Sequence, residues 1–143
     1  MAAINPYLNF NGNTEEAFNF YKSVFGGAFS MFQRFKDTPH GANMSAEDQE
    51  KIMHVSLPIG KGTVLMATDV LESLGQAKVG GDNFSIAIDP ESEDEADKLF
   101  AGLSDGANII MPLGDMFWGA YFGMLIDKFG IKWMVNYSPK QSK

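Results

Sequence analysis

Ala17-Phe18-Asn19-Phe20-Tyr21-Lys22-Ser23-Val24-Phe25-Gly26-Gly27-Ala28 and Ala96-Asp97-Lys98-Leu99-Phe100-Ala101-Gly102-Leu103-Ser104-Asp105-Gly106-Ala107 are two versions of one segment, 79 residues apart. The offset carries Ala17 to Ala96, Tyr21 to Phe100, Val24 to Leu103, Gly27 to Gly106 and Ala28 to Ala107, so a helix and its glycine exit recur together. Further on the offset is 68, taking Gly62 to Gly130, Leu65 to Trp133 and Met66 to Met134. The shortening falls in the polar loop 37–51.

Outward from these segments the chain reads the same way twice. Tyr7 to Phe10 is β-prone, and Asn13 with Glu16 resembles a capping box. The helix that follows places Ala17, Phe20 or Tyr21, and Val24 on one face. Ala28 to Lys36 predicts a strand, and 37–51 a long loop with one helical turn near Ala46 to Glu50. Ile52 to Ile59 and Thr63 to Asp69 flank Gly60-Lys61-Gly62 as a hairpin. In the second half Phe84 to Ile88 predicts a strand, Ser92 with Glu95 a capping box, and Ala96, Leu99, Phe100 and Leu103 a buried helical face. Strands at Asn108 to Leu113, Gly119 to Ile126 and Ile131 to Tyr137 complete it. The expected fold is α+β: two βαβββ modules forming a curved mixed sheet, with a hollow between them. One domain spans 1–143, with module 1 at about 4–73, a linker at about 74–82 and module 2 at about 83–138.

Composition narrows the function. With 11 Lys and Arg against 18 Asp and Glu, the net charge of −7 repels phosphate backbones, so no nucleic-acid partner is expected. The chain contains no cysteine, which excludes disulfides, thiolate metal sites and a thiol nucleophile. No apolar run approaches the length of about 18 residues that a membrane span needs, and the first twenty residues lack a secretory pattern. A cytoplasmic protein without membrane contact is expected. Glu91, Glu93, Asp94, Glu95 and Asp97 read as a solvated helix start, and Gly60-Lys61-Gly62-Thr63 as a β-turn rather than a phosphate loop.

Several local motifs carry a resemblance. They are Asn5-Pro6-Tyr7-Leu8-Asn9-Phe10, Phe20-Tyr21 with Phe25-Gly26-Gly27, His54 ahead of the glycine hairpin, Met66 to Asp69, Phe117-Trp118-Gly119, and Asp127-Lys128-Phe129-Gly130 with Trp133-Met134. Together they resemble the PhnB-like subfamily of the vicinal-oxygen-chelate superfamily, which includes glyoxalases, extradiol dioxygenases and bleomycin-resistance proteins. The resemblance runs from Asn5 to about Tyr137. It implies a divalent metal held by His and Glu at equivalent strand positions of the two modules. Those positions fall here near Pro6 or Tyr7, at Met66, near Asn83 or Phe84, and at Met134, a poor donor set for a hard cation. No metal ligand is assigned, and the cofactor is left unknown. Some members of the subfamily are labelled demethylubiquinone methyltransferases, yet no G-x-G-x-x-G order opens a helix in this chain.

The expected function is binding of a small organic molecule in the hollow between the modules, by a homodimer. Met66, Trp118, Tyr121 and Met134 are the ligand-binding candidates, drawn from a second half rich in aromatic and thioether side chains. One alternative is a metal-dependent lyase or isomerase in which His54 acts with Asp69, brought near it by the hairpin. The other is an interaction dimer whose pocket is filled by its own side chains.

Overall fold

A computed structural model describes residues 2–71 and 83–139, so the linker expected at 74–82 lies outside the described residues. The chain divides into two compact units, residues 1–78 and 79–143. Each builds its own four-stranded mixed sheet.

In the first unit β1 (Tyr7–Phe10) leads through α1 (Thr14–Phe25) to β2 (Met31–Arg34). Two short 3-10 turns (Phe35–Asp37 and Pro39–Asn43) and α2 (Ala46–Gln49) follow, then the hairpin β3 (Ile52–Ile59) and β4 (Thr63–Asp69). The sheet order is β1-β4-β3-β2, with β1 parallel to β4 and the other pairs antiparallel. The hairpin bounds are those the sequence predicts. The strand expected over Ala28 to Lys36 shrinks to four residues, and the supposed loop at 37–51 is largely turned backbone.

The second unit repeats this as β5 (Ile86–Ile88), α3 (Glu93–Leu103), β6 (Asn108–Asp115), β7 (Tyr121–Ile126) and β8 (Lys132–Tyr137), ordered β5-β8-β7-β6. Again the first strand lies parallel to the last.

Each helix seals one face of its sheet. α1 packs on β3 and β4, and α3 on β7 and β8. On α1 the buried residues are Thr14, Ala17, Phe18 and Tyr21, so Phe18 rather than Val24 completes the apolar stripe. Phe18 meets Tyr21 edge-on at 5.5 Å, and Val55, Leu57, Leu65 and Ala67 are buried residues of the hairpin on which α1 packs. On α3 Leu99, Phe100 and Leu103 are buried, as are Leu125, Trp133 and Val135 on the strands beneath it. Burial of each such large side chain contributes about 1.5–3 kcal/mol.

The two helices begin differently. Ser92 caps α3 through its side chain, accepting the Glu95 N–H at 3.0 Å, while Glu95 Oε1 accepts the Glu91 N–H at 2.7 Å, one residue earlier than a capping box requires. Asn13 stands at the N-cap of α1 but makes no side-chain cap. Asp69 takes its place from the end of β4, accepting the Thr14 N–H at 3.0 Å and the Thr14 hydroxyl at 2.6 Å. Among the described residues no helix is long and apolar enough to cross a membrane.

Candidate functional site

Strand parity decides which side chains face the helix and which face away, because neighbours along a strand point to opposite faces. On β4 Leu65, Ala67 and Asp69 are buried toward α1, so Val64, Met66 and Thr68 occupy the helix-free face. The register then reads across the sheet: Tyr7 pairs with Met66, Met66 with Ser56, and Ser56 with Met31. His54 lies two residues from Ser56 on the same face, opposite Gln33 of the edge strand.

His54 is engaged at both ring nitrogens. The Tyr7 hydroxyl reaches over β4 to within 3.2 Å of Nδ1, with the two rings 5.7 Å apart, and Ser56 Oγ lies 2.8 Å from Nε2. Partial burial raises the Tyr7 phenol above its ordinary pKa, so it stays protonated at neutral pH. Tyr7 is half exposed, whereas Ser56 is buried.

Asp69, the expected partner of His54, belongs to the other face. Its Oδ1 accepts from the backbone N–H groups of Gly12 and Thr14 and from the Thr14 hydroxyl, and its Oδ2 from the Ile52 N–H at 2.8 Å. The hairpin has the simple register that was expected, but one residue of parity places this carboxylate under the helix. His54 and Asp69 therefore do not meet across the sheet; the imidazole's hydrogen bonds go to two hydroxyls instead.

The second sheet carries a matching row: Ala87 pairs with Met134, Met134 with Met124, and Met124 with Met111. Trp133 and Val135 point to α3, which puts Met134 and Met124 on the helix-free face together with Phe122. Trp118, in the turn between β6 and β7, stands edge-on to Phe122 at 6.0 Å and to the almost fully exposed Phe117 at 5.0 Å. Met134 and Trp118 thus lie on the side of the sheet that Phe122 occupies. Tyr121 has the opposite parity: its hydroxyl donates to Asp97 on α3. That bond, with lesser contributions from burial and from the charges of Asp97, Glu93 and Asp115, pushes the phenol up to about 12. Tyr121 is tied to the helix rather than turned toward Met134.

The metal positions that the resemblance implies can be tested on the donors present. The parallel register sets Tyr7 beside Met66 and Ala87 beside Met134. Ala87 replaces the expected Asn83 or Phe84 because β5 begins only at Ile86. A phenol, two thioethers and a methyl group do not fit a hard divalent cation. Among the described residues no group of three or more His, Asp or Glu is placed to hold a metal ion.

Sequence reading missed Tyr7 and Ser56 as partners of His54. Period-two spacing marks Ser56 and His54 as same-face residues, but nothing local shows that Tyr7 comes to lie over the neighbouring strand.

Two mixed sheets, each with its helix on one face and a first strand parallel to the last, define the glyoxalase/bleomycin-resistance fold. A glyoxalase/bleomycin resistance protein/dioxygenase family enzyme from Burkholderia phytofirmans shares this fold at a TM-score of 0.59, with 22% identity over 92% of this chain and 95% of that one. The chain belongs to the family whose model is described as 3-demethylubiquinone-9 3-methyltransferase, which matches residues 2–136. It is similar to protein PA1353 of Pseudomonas aeruginosa, with 40% identity, 96% and 98% of the two chains covered and a TM-score of 0.83. It is also similar to a putative 3-demethylubiquinone-9 3-methyltransferase, PhnB protein, from Bacillus cereus, with 27% identity, 96% and 100% covered and a TM-score of 0.76.

Proposed function

We propose that this protein binds a small organic molecule on the helix-free faces of its sheets. The observation that carries the reading is the repeated row of partly exposed thioether and aromatic side chains on the sheet faces opposite α1 and α3: Tyr7, Met66 and Met31 in one unit, Met134, Met124 and Met111 in the other. Such side chains adapt to and stack on an apolar ligand. His54, Met66, Trp118 and Met134 are the ligand-facing residues in this reading. Methyl transfer is not carried over to this chain, because neither sheet has the doubly wound parallel order on which a glycine-rich cofactor turn is built.

Tryptophan emission tests it. Trp133 is buried, with its indole N–H on Asp127 Oδ2 at 2.8 Å, and serves as an internal constant. Trp118 is 54% exposed beside Phe122 and serves as the reporter. Titration with a panel of planar aromatic compounds should quench or shift the red part of the emission, and Trp118→Phe should remove that response. A panel that leaves the wild-type spectrum unchanged would end the proposal for the second sheet.

A specific observation also favours self-association. β6 is an edge strand on which Ile109, Ile110 and Met111 are 38%, 46% and 36% exposed. Exposed apolar edges pair with other chains, and lysine blocks such pairing. In this reading sedimentation equilibrium finds a homodimer, and Ile110→Lys weakens it by about tenfold or more. A wild-type protein that sediments as a monomer at micromolar concentration would refute it.

A further inference from the structure

The two hydroxyls around His54 impose a proton count on the first sheet's helix-free face. A neutral imidazole has one N–H and one lone pair, and each hydroxyl has one proton. Two hydrogen bonds, Tyr7 to Nδ1 and Ser56 to Nε2, use two of these three protons, so the third points away. Only two neutral arrangements satisfy both contacts. In the first, Nε2–H donates to Ser56 and the Tyr7 hydroxyl donates to Nδ1, leaving the Tyr7 oxygen as an outward acceptor. In the second, Ser56 donates to Nε2 and Nδ1–H donates to Tyr7, freeing the Tyr7 proton to point outward.

We infer that Tyr7, His54 and Ser56 form a hydrogen-bond switch, in which the imidazole tautomer sets whether the half-exposed Tyr7 hydroxyl offers a ligand a donor or an acceptor. The inference deepens the ligand-binding reading and rests on it. The ligand class follows from the surroundings. The register positions of that face are Tyr7 and Asn9 on β1, Val64, Met66 and Thr68 on β4, His54, Ser56 and Pro58 on β3, and Met31 and Gln33 on β2. None of these described positions is Lys, Arg, Asp or Glu. A carboxylate or phosphate would find no cation there, in a chain of net charge −7. An uncharged molecule with an apolar body and one oxygen function, hydroxyl or ketone, matches what is offered: Met66 and Met31 for the body, Tyr7 for the oxygen. The switch lets one site accept either oxygen function, since the Tyr7 hydroxyl keeps its hydrogen bond to His54 in both tautomers.

Three probes that share a ring system test this on the full chain labelled with 15N: 2-naphthol, 2-acetylnaphthalene and 2-naphthoate. Long-range proton–nitrogen correlation reads the tautomer directly, and with only two histidines in the chain His54→Gln assigns the signals. 2-Naphthol donates, so it should move His54 toward the Nε2–H form. 2-Acetylnaphthalene accepts, so it should move the ring toward the Nδ1–H form. 2-Naphthoate should bind at least tenfold more weakly than 2-naphthol. Tyr7→Phe should abolish the opposed tautomer shifts and weaken both neutral probes by about tenfold, the worth of one hydrogen bond. If the neutral probes bind and leave the tautomer unmoved, or move it in the same direction, the switch is overturned while ligand binding stands. Equal or tighter binding of 2-naphthoate overturns the ligand class. If no probe binds, the switch falls together with the binding reading for this sheet, whatever Trp118 reports for the other.

Discussion

Replacing Asp69 with alanine should lower the unfolding free energy by about 4 kcal/mol, at the severe end of single substitutions. The carboxylate is 3% exposed and accepts four hydrogen bonds, from the Gly12, Thr14 and Ile52 N–H groups and the Thr14 hydroxyl. Hydrogen bonds to a charged acceptor contribute about 1.5–3 kcal/mol each, and they are not additive here because one group serves all four. Truncation leaves donors unpaired at three separate points of the fold, a part-buried one in the turn after β1 and buried ones at the start of α1 and the start of β3. Asp69→Asn discriminates the cause. It preserves volume and can still accept at Oδ1, but its amide would set a donor against the Ile52 N–H, so it should lose roughly half as much. Chemical denaturation checks both. If Asp69→Ala unfolds within 1 kcal/mol of wild type, the carboxylate is not the cap that this geometry describes.

The second large effect is expected at Gly123, in the middle of β7. A methyl group there would lie 2.7 Å from Phe100 Cε1 on α3, 2.9 Å from Leu113 Cα and 3.0 Å from Leu113 N. Phe100 is held by the core of the second unit and the Leu113 atoms are backbone, so neither yields freely. Overpacking of this kind costs about 1–3 kcal/mol. Gly123→Ala should fall near the top of that range because two of the three nearest atoms are main chain. The glycine is needed for space, since its backbone has no positive φ. A second substitution that shortens the obstacle, Phe100→Leu, should recover part of the loss in the double variant, by an amount a double-mutant cycle can read. No coupling between the two would mean the helix does not press on β7 at this point.

Most of the architecture was legible because it rests on periodicities. The β3–β4 hairpin, α3 and the duplication follow from alternation, helical spacing and repeated glycines. What was hidden depends on parity and on contacts far apart in sequence. Asp69 sits at the strand end where it was expected, yet its position three after Met66 turns it to the opposite face from Met66 and His54. Tyr121 looks like a neighbour of Trp118 in the sequence, but it alternates onto the helix side and bonds Asp97 across 24 residues. The cap at Asn13 failed for a related reason: the local side chain was displaced by an acceptor 55 residues beyond Thr14. The Tyr7 to His54 contact spans 47 residues and crosses an intervening strand, which no window of sequence encodes.

The unequal starts of the two helices also bear on how the halves assemble. α3 carries its own initiation signal in Ser92, so its first turn is stabilised as soon as the adjoining residues are free to coil. α1 borrows its signal from a strand made much later in synthesis, and until residue 69 returns to it the donors of that first turn have only water. The earlier-made half is therefore the one that must close a long loop before its helix is secured, and the later-made half can begin from a local nucleus. Two units of one topology thus secure their helices by different routes.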